Sequence, residues 1–307
     1  MTKVVVLDSL FTSLDVEERA AREAGATLER WNGDRGTLAD ADVVAHVRTR
    51  VDAELIAAMP RCRVISRFGS GSDTVDLRAA NDAGITVVTV RDYCIRELAS
   101  HTLVLALSLV RRLGETARRL DASWNEIASA TPIRGYTRAT VVGLGSIGRA
   151  VVTALVALGY EVRAVSRHAR SHAAHLGAEP VELEEGFAAG ELLFLHTALD
   201  ESTSRLVDAP RLALMPPGAI LVDTARLGLL DEIAVAAALE AGRLGGLALD
   251  AVVPPSSPLA RLVHDSRVLI TPHIGWYSEE SAARLRRAGI ADALAAISPT
   301  PGAAVGL

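Results

Sequence analysis

The chain has 307 residues, half of them hydrophobic and 22% charged, with a formal net charge of −5 and 4% aromatic residues. That length and apolar content suffice for two buried cores, and the mild acidity offers no electrostatic footprint for nucleic acid. No apolar run approaches the roughly 18–20 residues of a membrane span, and Asp8 comes too early for a secretory leader, so a cytoplasmic protein without a membrane partner is expected. The two cysteines, Cys62 and Cys94, have neither metal-ligand nor disulfide-framework spacing; both read as small buried or half-buried residues, and no metal is expected.

Short β-rich runs at 4–7, 43–47, 64–68 and 86–90 are separated by helical stretches, an α/β alternation. It is largely complete before any cofactor fingerprint begins, so this part of the chain reads as a domain of its own. The run at 64–68 closes in Gly69-Ser70-Gly71-Ser72, a glycine-rich turn whose N–H groups can cradle an anion. An ordinary strand-to-helix turn accounts for the same glycines. A helix at 100–113 is apolar almost all round from Leu103 to Val110, which predicts burial on more than one side. The pairs Arg111-Arg112 and Arg118-Arg119 read as the solvated face of one helix.

Val141-Val142-Gly143-Leu144-Gly145-Ser146-Ile147-Gly148 is the most informative stretch. Apolar residues precede it as a buried strand, a helix is expected over 147–158, and a second strand over 161–165. In such a turn Gly143 permits the bend, Gly145 lets a pyrophosphate approach the backbone, and Gly148 lets helix and strand pack closely. The helix N-terminus then offers free N–H groups to the phosphates. The second strand ends in Ser166-Arg167-His168, where an NAD site normally carries Asp or Glu for the ribose hydroxyls. A serine hydroxyl and a guanidinium can instead hydrogen-bond a 2′-phosphate. NADP(H) is therefore the preferred cofactor and NAD(H) the second candidate; the alternative for Arg167 is that it covers the adenine or lies in solvent.

Further strands are expected at 192–196, 219–222, 246–249 and 268–270, with a proline-rich loop through Pro254, Pro255 and Pro258. Arg226, Asp250 and His273 each follow a strand and so sit at the carboxyl edge of the sheet, where open α/β folds bind ligands. Their bland readings are an exposed ion-pairing arginine, a loop cap and a turn-capping histidine. A last helix at 279–297 is free to return to the first domain, and the tail after Ser298 reads as mobile.

Together, 65–77 (Ile65-Ser66-Arg67-Phe68-Gly69-Ser70-Gly71-Ser72-Asp73-Thr74-Val75-Asp76-Leu77), the glycine fingerprint, Asp223-Thr224-Ala225-Arg226, Leu249-Asp250 and 271–280 (beginning Thr271-Pro272-His273-Ile274-Gly275) resemble the D-isomer-specific 2-hydroxyacid dehydrogenase family over nearly the whole chain. The resemblance implies an α/β fold of two doubly wound parallel-sheet domains. One is a flavodoxin-like substrate domain from 1–91 and 276–307; the other is a central Rossmann dinucleotide-binding domain at 92–275, with the active site in the cleft between them. It implies hydride transfer between nicotinamide C4 and C2 of a 2-hydroxy or 2-keto acid, with Arg226 fixing the substrate carboxylate and polarising its carbonyl, and His273 as acid/base. Arg48, with Arg50 as a weaker match, and the turn containing Ser70 and Gly71 would also meet the substrate. Gly143, Gly145, Ser146, Ile147, Gly148, Ser166, Arg167, His196, Thr197, Thr224, Ala225 and Asp250 would hold the cofactor, Asp250 through the nicotinamide amide. Family members generally dimerise through the dinucleotide domain, so a homodimer is expected.

The departure is a missing carboxylate. The family places a glutamate in a Glu-Pro pair after the Leu-Asp strand, hydrogen-bonded to the histidine; here residues 251–258 contain no acid, and Pro255 stands in its place. Such a partner favours the protonated ring at about 1.4 kcal/mol per pKa unit, so His273 is expected to be harder to protonate. Leu227 replaces the usual glycine after the arginine. The reading is an NADP(H)-dependent 2-keto acid reductase; the alternative is a catalytically weakened, dinucleotide-responsive binding protein of the corepressor type. Retention of both Arg226 and His273 favours the enzyme.

Overall fold

The computed structural model describes residues 1–119, 121–130, 133–166 and 170–297. The chain divides into two compact units, one of Met1–Tyr93 with the chain from Ser278 onward, the other Cys94–Tyr277.

The first unit holds five parallel strands, β1 (Lys3–Val6), β2 (Thr27–Arg30), β3 (Val43–His46), β4 (Val64–Arg67) and β5 (Thr86–Thr89), in the order β2-β1-β3-β4-β5. This is the flavodoxin-like order of a doubly wound sheet. Alternate side chains face opposite ways along a strand. Val5, Val44 and Ile65 pack with Leu38, Ile56, Met59 and Cys62 in one core. On β4, Ser66 donates to the Gly289 carbonyl at 2.7 Å, so the helix Glu279–Ile297 packs on this sheet. Gly289 is required there, since a Cβ would come within 2.3 Å of the Phe68 ring.

The second unit carries seven parallel strands: β6 (Arg138–Val142), β7 (Glu161–Val165), β8 (Glu179–Pro180), β9 (Leu192–Leu195), β10 (Ala219–Asp223), β11 (Leu244–Asp250) and β12 (Val268–Thr271). Their order is β12-β11-β10-β9-β6-β7-β8, a Rossmann arrangement with the glycine turn following β6. Buried on both faces, β9 sends Leu192 and Phe194 to one core with the helices Ile95–Val110 and Ser146–Ala157. Leu193 and Leu195 go to the other core with the helix Glu232–Glu240. Uninterrupted apolar strands of this kind belong to parallel sheets covered on both sides.

Three expectations are corrected here. The apolar helix runs over Ile95–Val110 and leaves Val104 60% exposed, so within the chain it is buried on one side only. The arginine pairs do not share one helix. Arg112 adopts φ 48°, which ends the first helix and starts a short one, Leu113–Thr116, with Arg112 bonded to Glu115 at 2.9 Å. The sheets also gain edge strands, β2 and β8, that the apolar pattern did not mark. Both cysteines are buried and neither forms a disulfide among the described residues. The tail after Ser298 lies outside the described residues. No helix among the described residues is long and apolar enough to cross a membrane.

Candidate active site

The glycine turn after β6 fixes one end of the site. Gly143 has φ 100°, in the left-handed region that disfavours side chains. A Cβ on it would strike the His196 carbonyl at 2.5 Å, and one on Gly148 would strike the Gly143 oxygen at 1.9 Å. These two glycines are therefore required by packing. Gly145 is different: a Cβ there would meet nothing within 4 Å. It caps the helix Ser146–Ala157, whose N-terminus has no side-chain cap, so the N–H groups of Ser146, Ile147 and Gly148 begin the helix beside open space.

That space is a cavity of about 790 Å³ lined by Gly143, Gly145, Arg149, Ser166, His172, His196 and Thr197, among others. Its size, an uncapped helix N-terminus and a backbone approach without side chains together fit a dinucleotide pyrophosphate. The ring of His196 has Nε2 buried without a partner, and burial lowers its pKa to about 4, so it is neutral at ordinary pH. Ser166 closes β7 at the cavity wall, whereas Arg167 lies outside the described residues. Arg149 and His172 are basic lining groups that the motif alone did not single out.

The candidate catalytic residues lie where β10, β11 and β12 finish side by side, Asp223 opposite Leu249 and Asp250 opposite Thr271. After β10, the Asp223 carboxyl accepts the N–H groups of Ala225 at 2.8 Å and Arg226 at 3.2 Å through Oδ1, forming the turn that carries Arg226. Thr224 shares a hydroxyl hydrogen bond of 2.8 Å with Thr102 of the helix Ile95–Val110 and is buried. Arg226 is half-buried, and its Nη1 donates to the Ala225 carbonyl at 2.8 Å.

Asp250 organises the turn after β12. Its carboxylate accepts from Ile274 N at 2.8 Å, Gly275 N at 2.8 Å and Thr271 Oγ1 at 2.6 Å, with His101 Nε2 3.7 Å from the same Oδ1. A Cβ on Gly275 would come 2.8 Å from Asp250 Oδ2 and 2.9 Å from Leu98, so the turn tolerates only glycine there. Between these anchors His273 is held at φ 58°, an unusual conformation for a residue with a side chain. Its N–H bonds Thr271 O at 2.9 Å, its carbonyl accepts from Trp276 Nε1 at 3.1 Å, and its Nδ1 lies 3.3 Å from the Asp250 carbonyl oxygen. With Nδ1–H donating to that carbonyl, Nε2 is the acceptor nitrogen of the neutral ring. The ring is thus oriented by a backbone oxygen at Asp250. Pro255 is exposed, and the loop around it is tied down by the Ser257 hydroxyl bonding the Glu232 carboxylate.

In the first unit, Arg48 is exposed and its N–H bonds the Asp8 carboxylate at 2.7 Å, which also accepts from Val47 at 2.7 Å and Thr49 at 3.2 Å. Asp8 follows the first apolar strand directly, which is the sequence signal that could have marked it. Gly69 has φ 138°, and the Arg67 guanidinium occupies the place a Cβ would take. Ser70 is exposed and Gly71 half-buried beside it.

A seven-stranded Rossmann sheet with a glycine cradle, and an arginine and a histidine just beyond the ends of β10 and β12 on either side of β11, defines a nicotinamide dinucleotide-binding protein. The profile of the D-isomer specific 2-hydroxyacid dehydrogenase NAD binding domain matches residues 103–275. A putative 2-hydroxyacid dehydrogenase of Haemophilus influenzae is 32% identical over 275 residues, covering 85% of this chain and 84% of that one. The chain belongs to the D-isomer-specific 2-hydroxyacid dehydrogenase family. A D-3-phosphoglycerate dehydrogenase of Mycobacterium leprae is 38% identical over 242 residues, 77% of this chain and 45% of that protein, so the chain spans about half the length of this curated relative. Among solved structures, the TT0316 protein of Thermus thermophilus superposes with TM-score 0.81 at 29% identity, covering 96% of this chain and 97% of that one. A D-lactate dehydrogenase of Aquifex aeolicus, complexed with NAD and lactic acid, shares the fold with TM-score 0.86 at 23% identity, covering 96% and 95%.

Proposed function

We propose that the protein is a reductase of a 2-keto acid that prefers NADP(H). The observation that carries the reading is the edge formed by β10, β11 and β12, where the turn bearing Arg226 and the turn bearing His273 are each pinned by a buried aspartate of the same sheet. When bound, a reduced nicotinamide supplies the hydride that reaches C2 of the keto acid. Arg226, permanently charged and able to bond in a bidentate manner, holds the substrate carboxylate and draws electron density from the carbonyl. His273 delivers the proton to the new alkoxide from Nε2 while Nδ1 stays on the Asp250 carbonyl.

The helix N-terminus at Ser146, with Ile147 and Gly148, receives the pyrophosphate beside Gly143 and Gly145, and His196, Thr197, Thr224 and Ala225 complete the dinucleotide contacts. Asp250 retains lone pairs for the nicotinamide amide in addition to its turn contacts. Preference for the 2′-phosphate is supported by Ser166 directly after β7, where no acid stands, and by Arg149 and His172, which line the same cavity together with Glu182; Arg167 belongs to this reading from sequence. Arg48 and the Ser70-Gly71 turn are assigned to the substrate, which their accessible positions support.

The test follows absorbance loss at the reduced-nicotinamide band with NADPH and NADH against a panel of 2-keto acids. Turnover that favours NADPH and is lost in His273→Ala is the expected result. Dinucleotide binding without turnover on any acid would overturn the reductase reading in favour of a binding protein. We further infer a homodimer, because Val104, Leu113 and Trp124 of the dinucleotide-binding unit are 60%, 54% and 80% exposed. A monomer mass by light scattering would reject it.

A further inference from the structure

Asp223 is the one carboxyl of this sheet edge with an oxygen that the described structure leaves unsatisfied. The residue is 2% exposed; Oδ1 is committed to the N–H groups of Ala225 and Arg226, while Oδ2 is buried and has no hydrogen-bond partner among the described residues. A buried carboxylate oxygen without a donor is costly, and a proton on it removes that cost. Burial accordingly pushes this carboxyl up to about 7, against the two N–H bonds and the nearby Arg226 charge, which favour ionisation. Asp250, at the end of the adjacent strand, adds a repulsion in the same direction as burial. Both oxygens of Asp250 already accept hydrogen bonds, from Ile274, Gly275 and Thr271, whereas Asp223 Oδ2 accepts none, so the proton is assigned to Asp223.

We propose that Asp223 is a positioning residue whose neutral form holds the turn of Arg226 while leaving the guanidinium charge for an anionic substrate, and whose ionised form competes with that anion. The proposal rests on Arg226 as the carboxylate clamp. The charged and titratable groups around Asp223 are Arg226 on its own turn and Asp250 on β11. His196 follows Leu195, its register partner on β9, and from the helix Ile95–Val110 come the Thr102 hydroxyl on Thr224 and His101 beside Asp250. His273 is tied to the Asp250 carbonyl beyond them. His196 is neutral throughout the relevant range because burial holds its pKa near 4. Neutral Asp223 is the shape of an asparagine: the same oxygen accepts the same two N–H groups. Its ionisation changes the charge beside the clamp without breaking the turn. By linkage, an anion on Arg226 makes Asp223 hold its proton more tightly.

The test measures the affinity of oxamate, an unreactive 2-keto acid analogue, for the NADH- or NADPH-loaded protein between pH 6 and pH 8.5, in wild type, Asp223→Asn and Arg226→Gln. In wild type the affinity falls about tenfold across the range, the size of a single charge interaction worth one pKa unit; in Asp223→Asn the fall from this group is gone. Binding that Arg226→Gln abolishes, but that has the same pH dependence in wild type and Asp223→Asn, overturns the proposal and leaves the clamp reading standing. Oxamate binding at no pH removes both. Independently of the variant's folding, carbon-13 carboxyl spectra of aspartate-labelled wild type show one buried resonance titrating near neutrality; completion of all aspartate titrations below pH 5 overturns the proposal.

Discussion

At the scale of single residues, the site depends on atoms whose roles come from burial as much as from chemical type. Asp223 lowers stability as well as holding Arg226. Its folded-state pKa of about 7 lies above the ordinary 3.8, so the native state holds the proton more tightly than the unfolded chain does. The stabilisation from this group is full below about pH 4 and is lost as the pH rises to about 7. The interval corresponds to roughly 4 kcal/mol as an upper figure at about 1.4 kcal/mol per tenfold. Asp223→Asn is expected to be more stable than wild type at pH 8.5 and to lose that advantage toward pH 4, measured by urea unfolding at both. Glycine positions give a sharper contrast. Gly148→Ala drives a methyl group into the Gly143 oxygen and Gly145→Ala meets open space. The first is expected to unfold at clearly lower temperature, by overpacking worth about 1–3 kcal/mol or more. The second keeps its melting temperature but weakens dinucleotide binding, read by fluorescence titration.

At the scale of elements, the first unit depends on an ion pair between two helices. Arg286, on the helix Glu279–Ile297, reaches Glu17 of the helix Asp15–Glu23 through Nε at 2.8 Å and Nη2 at 2.6 Å, and Glu17 is 1% exposed. The Arg286 guanidinium is held above its ordinary pKa chiefly by the hydrogen bond to Glu17. Removing one partner leaves the other buried without its counter-charge, so Arg286→Ala is expected to cost about 3–5 kcal/mol, whereas Arg287→Ala on an exposed face is near neutral, both measured by chemical denaturation. None of this was legible in the sequence, because the partners lie 269 positions apart. The strands that could be read were those with continuous apolar runs, such as Leu192–Leu195 and Ala219–Asp223. β2, Thr-Leu-Glu-Arg, is an exposed edge strand with one apolar residue, and β8 has two residues including Pro180, so neither carries a periodic signal. The helix Ile95–Val110 begins before the expected Ser100, and its added first turn brings Leu98 beside Gly275, a tertiary neighbour that a local pattern does not mark. In the candidate site, the placement of Arg226 and His273 just beyond strand ends was legible in the sequence. The pinning of their turns by Asp223 and Asp250 was not, because carboxylate-to-backbone bonds depend on which strands lie side by side.

At the scale of the molecule, the chain order of the two units has a thermodynamic consequence. The dinucleotide-binding unit is one continuous stretch, Cys94–Tyr277, with a core on each face of its sheet. The first unit is interrupted, and its packing on β4 uses the helix Glu279–Ile297. Each unit has its own core, so each can melt as a cooperative block. A dinucleotide bound only to folded Cys94–Tyr277 stabilises that block by RT ln(1 + [L]/Kd), about 2.7 kcal/mol at a hundredfold excess over Kd. Differential scanning calorimetry is therefore expected to show two heat-absorption steps, of which NADPH raises one and leaves the other in place. Arg286→Ala should lower the step that NADPH does not move, since Glu17 and Arg286 both belong to the first unit. A single step that shifts as a whole with both NADPH and Arg286→Ala would instead mean that the two blocks melt as one.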